Sequence, residues 1–232
     1  MSDVSGIVTV NTPVVSVLNN LVEARRFKDA QGKEQGDPKY GSVLVFDKEH
    51  PNLNAIKEAA VAIAKAKWPG RDVGADYKAK LLKMPWRNGD DWIARNAAKL
   101  AKKGKEDDHK YDYMAGKVVL KSASKFRPRL SFIENGKITP DLDDAGIQRH
   151  KAKFYNGVEA LVEINLVAFD AVKEGDADNI TAYLNIFCST NTGKRVGGGR
   201  SASEAFAGYA GKAKPEDPTK GDPDGLDDEI PF

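Results

Sequence analysis

Three aspartates fall within four positions at Asp141, Asp143 and Asp144. A metal-dependent nuclease holds divalent cations around a scissile phosphate with such carboxylates. These three follow Thr139-Pro140 in loop-like sequence, whereas two-metal chemistry needs carboxylates fixed on rigid elements, so a solvent-facing acidic turn is the favoured reading. The run Thr192-Gly193-Lys194-Arg195-Val196-Gly197-Gly198-Gly199-Arg200-Ser201 has the glycines of a phosphate-binding loop. Cys188 stands five positions before Gly193 where that motif needs glycine, and Arg195 follows the lysine where it needs Ser or Thr. ATP hydrolysis is therefore not supported, although backbone amides of the run could approach a DNA phosphate. One cysteine and three scattered histidines (His50, His109, His150) do not form a zinc-ligand pattern. The sequence predicts no catalytic residue, no metal and no cofactor.

Cations make a stronger pattern. In a strand, Lys117, Lys121 and Lys125 share a face with Val119 and Ala123, while Val118 and Leu120 point the other way. Arg127 and Arg129 share a face of the next segment, with Phe126 at the corner between the two. A basic sheet face beside aromatic rings suits single-stranded nucleic acid, because cations track the backbone and rings stack on bases whatever their sequence. Tyr113 and Tyr155 are further candidate platforms, and Lys153 and Arg200 further phosphate contacts. A strand alternating Lys and Val is also what a solvated face over a buried one looks like. Trp68, Phe132, Phe169 and Phe187 read as core; Trp86, Trp92 and Tyr111 lie among polar neighbours and read as partly exposed.

The elements that would carry these residues are mainly β. Strands are expected over 14–24, 40–46, 117–124, 129–133, 158–169 and 180–188, with a long loop from Lys28 to Lys39. Turns are expected at Asn135-Gly136 and Glu174-Gly175-Asp176. One helix should run from Pro51-Asn52 to Trp68-Pro69-Gly70, and another from an Asp90 or Asp91 cap through Lys103 to Gly104. About six strands with helical insertions around 52–68 and 90–104 fit a small closed Greek-key barrel over residues 1–210.

The formal net charge of +2 conceals an asymmetry. Residues 215–232 carry one basic residue against seven acidic ones, a net of −6, which leaves +8 on residues 1–214. A basic body points to a polyanionic partner. From Gly211 the chain is dominated by Lys, Pro, Asp and Gly, so 211–232 is expected to be a disordered acidic tail. With no long apolar run and no leader-like N-terminus, neither membrane insertion nor export is expected, and the protein should be cytoplasmic.

The runs Tyr113-Met114-Ala115-Gly116, Ala123-Ser124-Lys125-Phe126-Arg127-Pro128, Phe154-Tyr155-Asn156-Gly157 and Gly198-Gly199-Arg200-Ser201-Ala202-Ser203 resemble a family of phage proteins. That family, formerly of unknown function, is regarded as single-stranded DNA-binding proteins with an OB fold, distantly similar to the T7-type phage protein. The resemblance spans about residues 10–210. Asp227-Asp228-Glu229-Ile230-Pro231-Phe232 resembles the terminal peptide of bacterial single-stranded DNA-binding proteins, which recruits replication and recombination proteins. An apolar ring and a terminal carboxylate can enter a pocket ringed by Arg or Lys. The resemblance implies sequence-tolerant, non-catalytic binding of single strands in phage DNA replication, recombination and repair, in the cytoplasm of an infected bacterial host. From the charge split, the tethered tail is expected to compete with DNA for the basic groove, and its removal to tighten DNA binding, most visibly of duplex at low salt. A strand-annealing or recombination-mediator protein is the alternative; a nuclease is the weaker one. The oligomeric state stays open.

Overall fold

The computed structural model describes residues 4–28, 33–106 and 109–196. Arg200, the linker and the acidic tail lie outside the described residues.

Two long strands begin the fold, β1 (Ser5–Lys28) and β2 (Glu34–Phe46). Helices α1 (Leu53–Lys67) and α2 (Val73–Lys78) lead through short strands β3 (Leu82–Lys83) and β4 (Trp86–Asn88) into helix α3 (Gly89–Ala101). Strands β5 (Val118–Ser124), β6 (Arg129–Glu134) and β7 (Lys137–Ile138) follow, then helix α4 (Asp144–His150) and strands β8 (Val158–Phe169) and β9 (Asp178–Ser189).

Five of the strands close a barrel in the order β1-β2-β5-β9-β8 and back to β1. All its pairs are antiparallel except β5 with β9, which is parallel and consists of the single step Ser122–Ala182. This is the OB-fold order of a five-stranded Greek-key barrel, as the sequence leads one to expect. Strand β8 shows why it closes: Val158, Ala160, Val162, Ile164, Leu166 and Ala168 alternate into the main core. Helix α1 joins that core with Leu53, Ile56, Ala60, Ile63 and Ala64, and α4 contributes Ile147.

A second apolar cluster lies on the outside of the barrel wall. Val17, Val43, Val45, Val119 and Met114 are buried there, with Trp92, Tyr111, Tyr113 and Val196 packed against them. The α3 insertion and the 3₁₀ turn Asp112–Met114 therefore cover part of the outer face of β1, β2 and β5. The continuous apolar run Val43-Leu44-Val45-Phe46 carries this in sequence, since a strand buried on both faces loses its alternation.

Several expectations need correction. The polar stretch from Lys28 to Lys39 is mostly not a loop: β1 and β2 pair out to Lys28–Glu34, with register shifts along the way. Residues 33–39 are exposed, and a ribbon wet on both sides has no alternation to reveal it. Helix α3 is capped by Asn88, whose Oδ1 accepts from the Asp90 amide at 3.1 Å, rather than by Asp90 or Asp91. Asp90 instead accepts from the Gly116 amide at 2.9 Å. Phe169 is not core, because it continues the outward-facing positions of β8. Trp68 is only half-buried against the core, whereas Phe187 lies fully inside it and Phe132 is buried beside His150 and Lys153. The Asn135-Gly136 turn is present, both residues having positive φ, as the two-residue link of β6 to β7.

Candidate nucleic-acid interface

Strand β5 alternates as its sequence predicts, with Leu120 in the main core and Val119, Lys121 and Ala123 on the outer side. Lys117 does not extend this row. It precedes the strand, and its ammonium lies 2.6 Å from the Asp47 carboxylate.

Three clefts meet over the outer face of β5, and Lys39 and Ala123 line all of them. The first, about 560 Å³, runs between α3 and the barrel and brings in Arg87, Arg95, Lys99 and Lys121 with the rings of Trp92, Tyr111 and Tyr183. The second, about 890 Å³, follows the β1–β2 ribbon and adds Arg25, Arg26, Lys110 and Lys125 together with Tyr113. The third, about 680 Å³, lies between the β5–β6 corner and the outer face of β8 and β9; it adds Arg127, Arg129, Phe126 and Phe169. Among the described residues, eleven basic ones thus line the three clefts against one carboxylate, Asp37, a bias a polyanion would be drawn to. The line crosses the strands, since Gly41 pairs with Ala123 and Ser122 with Ala182.

Local structure holds these groups in place. The Ser124 hydroxyl accepts from the Phe126 amide at 3.0 Å, and this tight corner leaves the Phe126 ring 83% exposed. The Arg127 guanidinium donates to Asp144 at the start of α4 and lies 6.0 Å from the Tyr40 ring centroid. Arg129 is 3.6 Å from Asp141. Asp143 accepts from the Gly146 amide at 2.7 Å as the α4 cap. Each of the three aspartates considered for nuclease chemistry therefore has a structural use. Among the described residues no three carboxylate, histidine or thiol groups are placed to hold a metal.

Electrostatics within the groove is strained in one sense. Burial, and then the like charges of Arg87, Lys39 and Lys99, pull the Lys121 ammonium below the ordinary lysine value. Burial, with the neighbouring Tyr111, pushes the Tyr113 phenol up to about 12. At the second cleft's mouth, Lys125 lies 2.6 Å from Asp37; the contact lowers the carboxyl's pKa and raises the ammonium's.

The remaining expected contacts lie elsewhere. The Tyr155 hydroxyl donates to the carbonyls of Thr192 and Gly193, both at 2.9 Å, and Arg195 lies over its ring at 4.3 Å. Lys153 pairs with Glu134 at 3.5 Å and sits over the Phe132 ring. Neither residue lines the three clefts. Instead the run Phe154–Gly157 clamps the chain that follows β9. Gly157 and Gly193 both have positive φ, and a Cβ on Gly157 would come within 1.9 Å of the Lys194 carbonyl. Asn156 accepts from the Asn19 amide at 2.7 Å and, through its carbonyl, from the Val196 amide at 2.8 Å. Val196 is thereby set into the wall of the second cleft.

Sequence reasoning missed Lys39, Arg87, Phe169 and Tyr183 as groove residues. For Phe169 and Tyr183 a signal existed, because each falls in the odd-numbered outward set of its strand. The cations of α3, read only as a helix face, gain meaning once α3 lies beside β5.

The family described as "Enterobacter phage Enc34, ssDNA-binding protein" matches residues 20–218. The single-stranded DNA-binding protein from bacteriophage Enc34 superposes with a TM-score of 0.52 at 16% identity, covering 88% of this chain and 90% of that one. The structure of that protein in complex with ssDNA gives a TM-score of 0.50 at 15% identity, over 84% and 90% of the two chains. The single-stranded DNA-binding protein gp2.5 of bacteriophage T7 gives 0.48 at 11% identity, over 88% and 94%. No curated protein sequence matches the chain.

Proposed function

The chain belongs to the family of the Enterobacter phage Enc34 ssDNA-binding protein, and from that premise we propose that its confluent clefts hold a single DNA strand, in a sequence-tolerant way and without cleaving it. The observation that carries this reading is the groove itself: among the described residues, eleven cations against one carboxylate, crossing the barrel with an exposed phenylalanine and several half-exposed rings along it. Cations supply salt-dependent affinity and rings supply stacking. Trp92 lines two of the clefts and serves as an intrinsic reporter. Titration with poly-dT should quench its fluorescence, with an affinity that falls as salt rises at a slope of about −0.7 per neutralised phosphate. Oligonucleotides should stay full length with magnesium present. Absence of any fluorescence or gel-shift response at low salt would defeat the reading.

The finer reading is that this protein serves phage DNA replication, recombination and repair in the bacterial cytoplasm, with a body to about residue 210 and an acidic tail beyond it. In this reading Asp227–Phe232 recruits replication or recombination proteins, and the tail competes with DNA for the groove. Support comes from the split between −6 on residues 215–232 and +8 on the rest. A tether of this kind can hold its end at an effective concentration in about the millimolar range. Deleting Leu226–Phe232 should tighten binding of single strands and of duplex, most at low salt, and abolish recruitment.

A further inference from the structure

Asn165 stands in the middle of β8, paired on one side with Ile7 of β1 and on the other with Tyr183 of β9. Its side chain lines the third cleft. The amide oxygen is buried and accepts no hydrogen bond from the described residues. A buried polar group left without a partner costs stability, so its persistence calls for an explanation such as an absent ligand.

The cleft says what that partner is. Phe126, 83% exposed, shares it and offers a ring face for a flat ligand. Lys39, Lys125, Arg127 and Arg129 line it as well, so the flat group is attached to something anionic. A one-residue bulge of β9 opposite Glu163 and Ile164 leaves Asn185 as the extra residue, and Asn185 also lines the cleft while donating to Glu163 at 3.3 Å. A flat group on a polyanionic backbone that can satisfy a carboxamide is an unpaired nucleobase.

Resting on the single-strand reading above, we propose that Asn165 is a specificity-determining residue that turns its carboxamide into the cleft to read the Watson–Crick edge of one unpaired base stacked on Phe126, and so favours single strands over duplex. All four bases carry a donor and an acceptor side by side on that edge. A carboxamide carries the complementary pair and can turn over to suit either order. The contact is therefore tolerant of sequence. In duplex the same edge is already used, whereas phosphates are equally available to the cations, which cannot tell the two forms apart.

The test compares a dT oligomer with an oligomer of N3-methylthymidine, which keeps the phosphates and the ring but blocks the edge. The wild-type protein should bind dT about tenfold more tightly. Asn165→Ala should bind both oligomers equally, at the weaker level, with unchanged affinity for duplex and an unchanged or raised melting temperature, since only an unpartnered amide is lost. Equal, tight binding of both oligomers by the wild type, or full discrimination by folded Asn165→Ala, would overturn this inference alone. A wild type that binds neither oligomer would overturn the groove and this inference together.

Discussion

Asp37 supplies the one carboxylate among the described residues that line the three clefts, and it sits 2.6 Å from Lys125 at the groove's edge. Both side chains are well exposed, so their pairing does little for stability. Its consequence is for binding, because on the proposed path Lys125 would exchange this carboxylate for a phosphate. Asp37→Asn should tighten single-strand binding and steepen the salt slope by about 0.7, one further neutralised phosphate, with an unchanged melting temperature. A salt titration of the variant against the wild type reads this directly.

Lys121 gives a pH dependence whose sign follows from its lowered pKa. A bound phosphate favours the charged ammonium, so DNA binding above the lowered pKa takes up a proton. Affinity should fall as pH rises through that value, below the ordinary 10.5. Stability runs the other way. Between the lowered folded pKa and the ordinary unfolded one the unfolded chain binds more protons, so unfolding free energy rises with pH across that window. Lys121→Met should flatten both dependences, weakening DNA binding while leaving the fold as stable or more so. Calorimetry in buffers of different ionisation enthalpy measures the proton uptake.

Phe126 and Tyr155 should separate cleanly when replaced by alanine. Phe126 is exposed and packs on nothing that needs it, so its loss should cost about 1–3 kcal/mol of single-strand binding at constant melting temperature. Tyr155 ties Thr192 and Gly193 through its hydroxyl and packs against the core. Tyr155→Ala should lower the melting temperature and leave affinity per folded molecule nearly unchanged.

The Gly157–Gly193 contact should tolerate no side chain. A Cβ on Gly193 would come within 2.3 Å of the Gly157 carbonyl, and both residues hold φ values near +100°. Alanine at either position should destabilise the body by about 2 kcal/mol or more, read as a drop in denaturant midpoint. The same change should loosen the clamp on Val196.

Much of this was legible in the sequence where a local rule operates. The alternation of β5, the Asn135-Gly136 turn and the α1 periodicity each follow from spacing within a few residues. The β1–β2 ribbon was hidden because its solvated arm buries nothing, and Phe169 looked like core because a large ring gives no sign of which face of the barrel it takes. The groove was legible only in part. Lys121, Lys125, Phe126, Arg127 and Arg129 lie close in sequence, but Lys39, Arg87 and Tyr183 join them solely through barrel closure and the placement of α3. Non-local pairing of that kind leaves no mark on any single segment.

The barrel's closure has a mechanical side. Four of its five seams are long antiparallel ladders, whereas β5 and β9 meet at one step, Ser122–Ala182, beneath the floor of the groove. A cylinder with one short seam opens there first under any disturbance. A DNA strand on the proposed path across β2, β5 and β9 would bridge that seam from outside, like a suture over the joint. On the proposed path, binding and barrel integrity would be one property, the ligand sealing the seam along the line it covers.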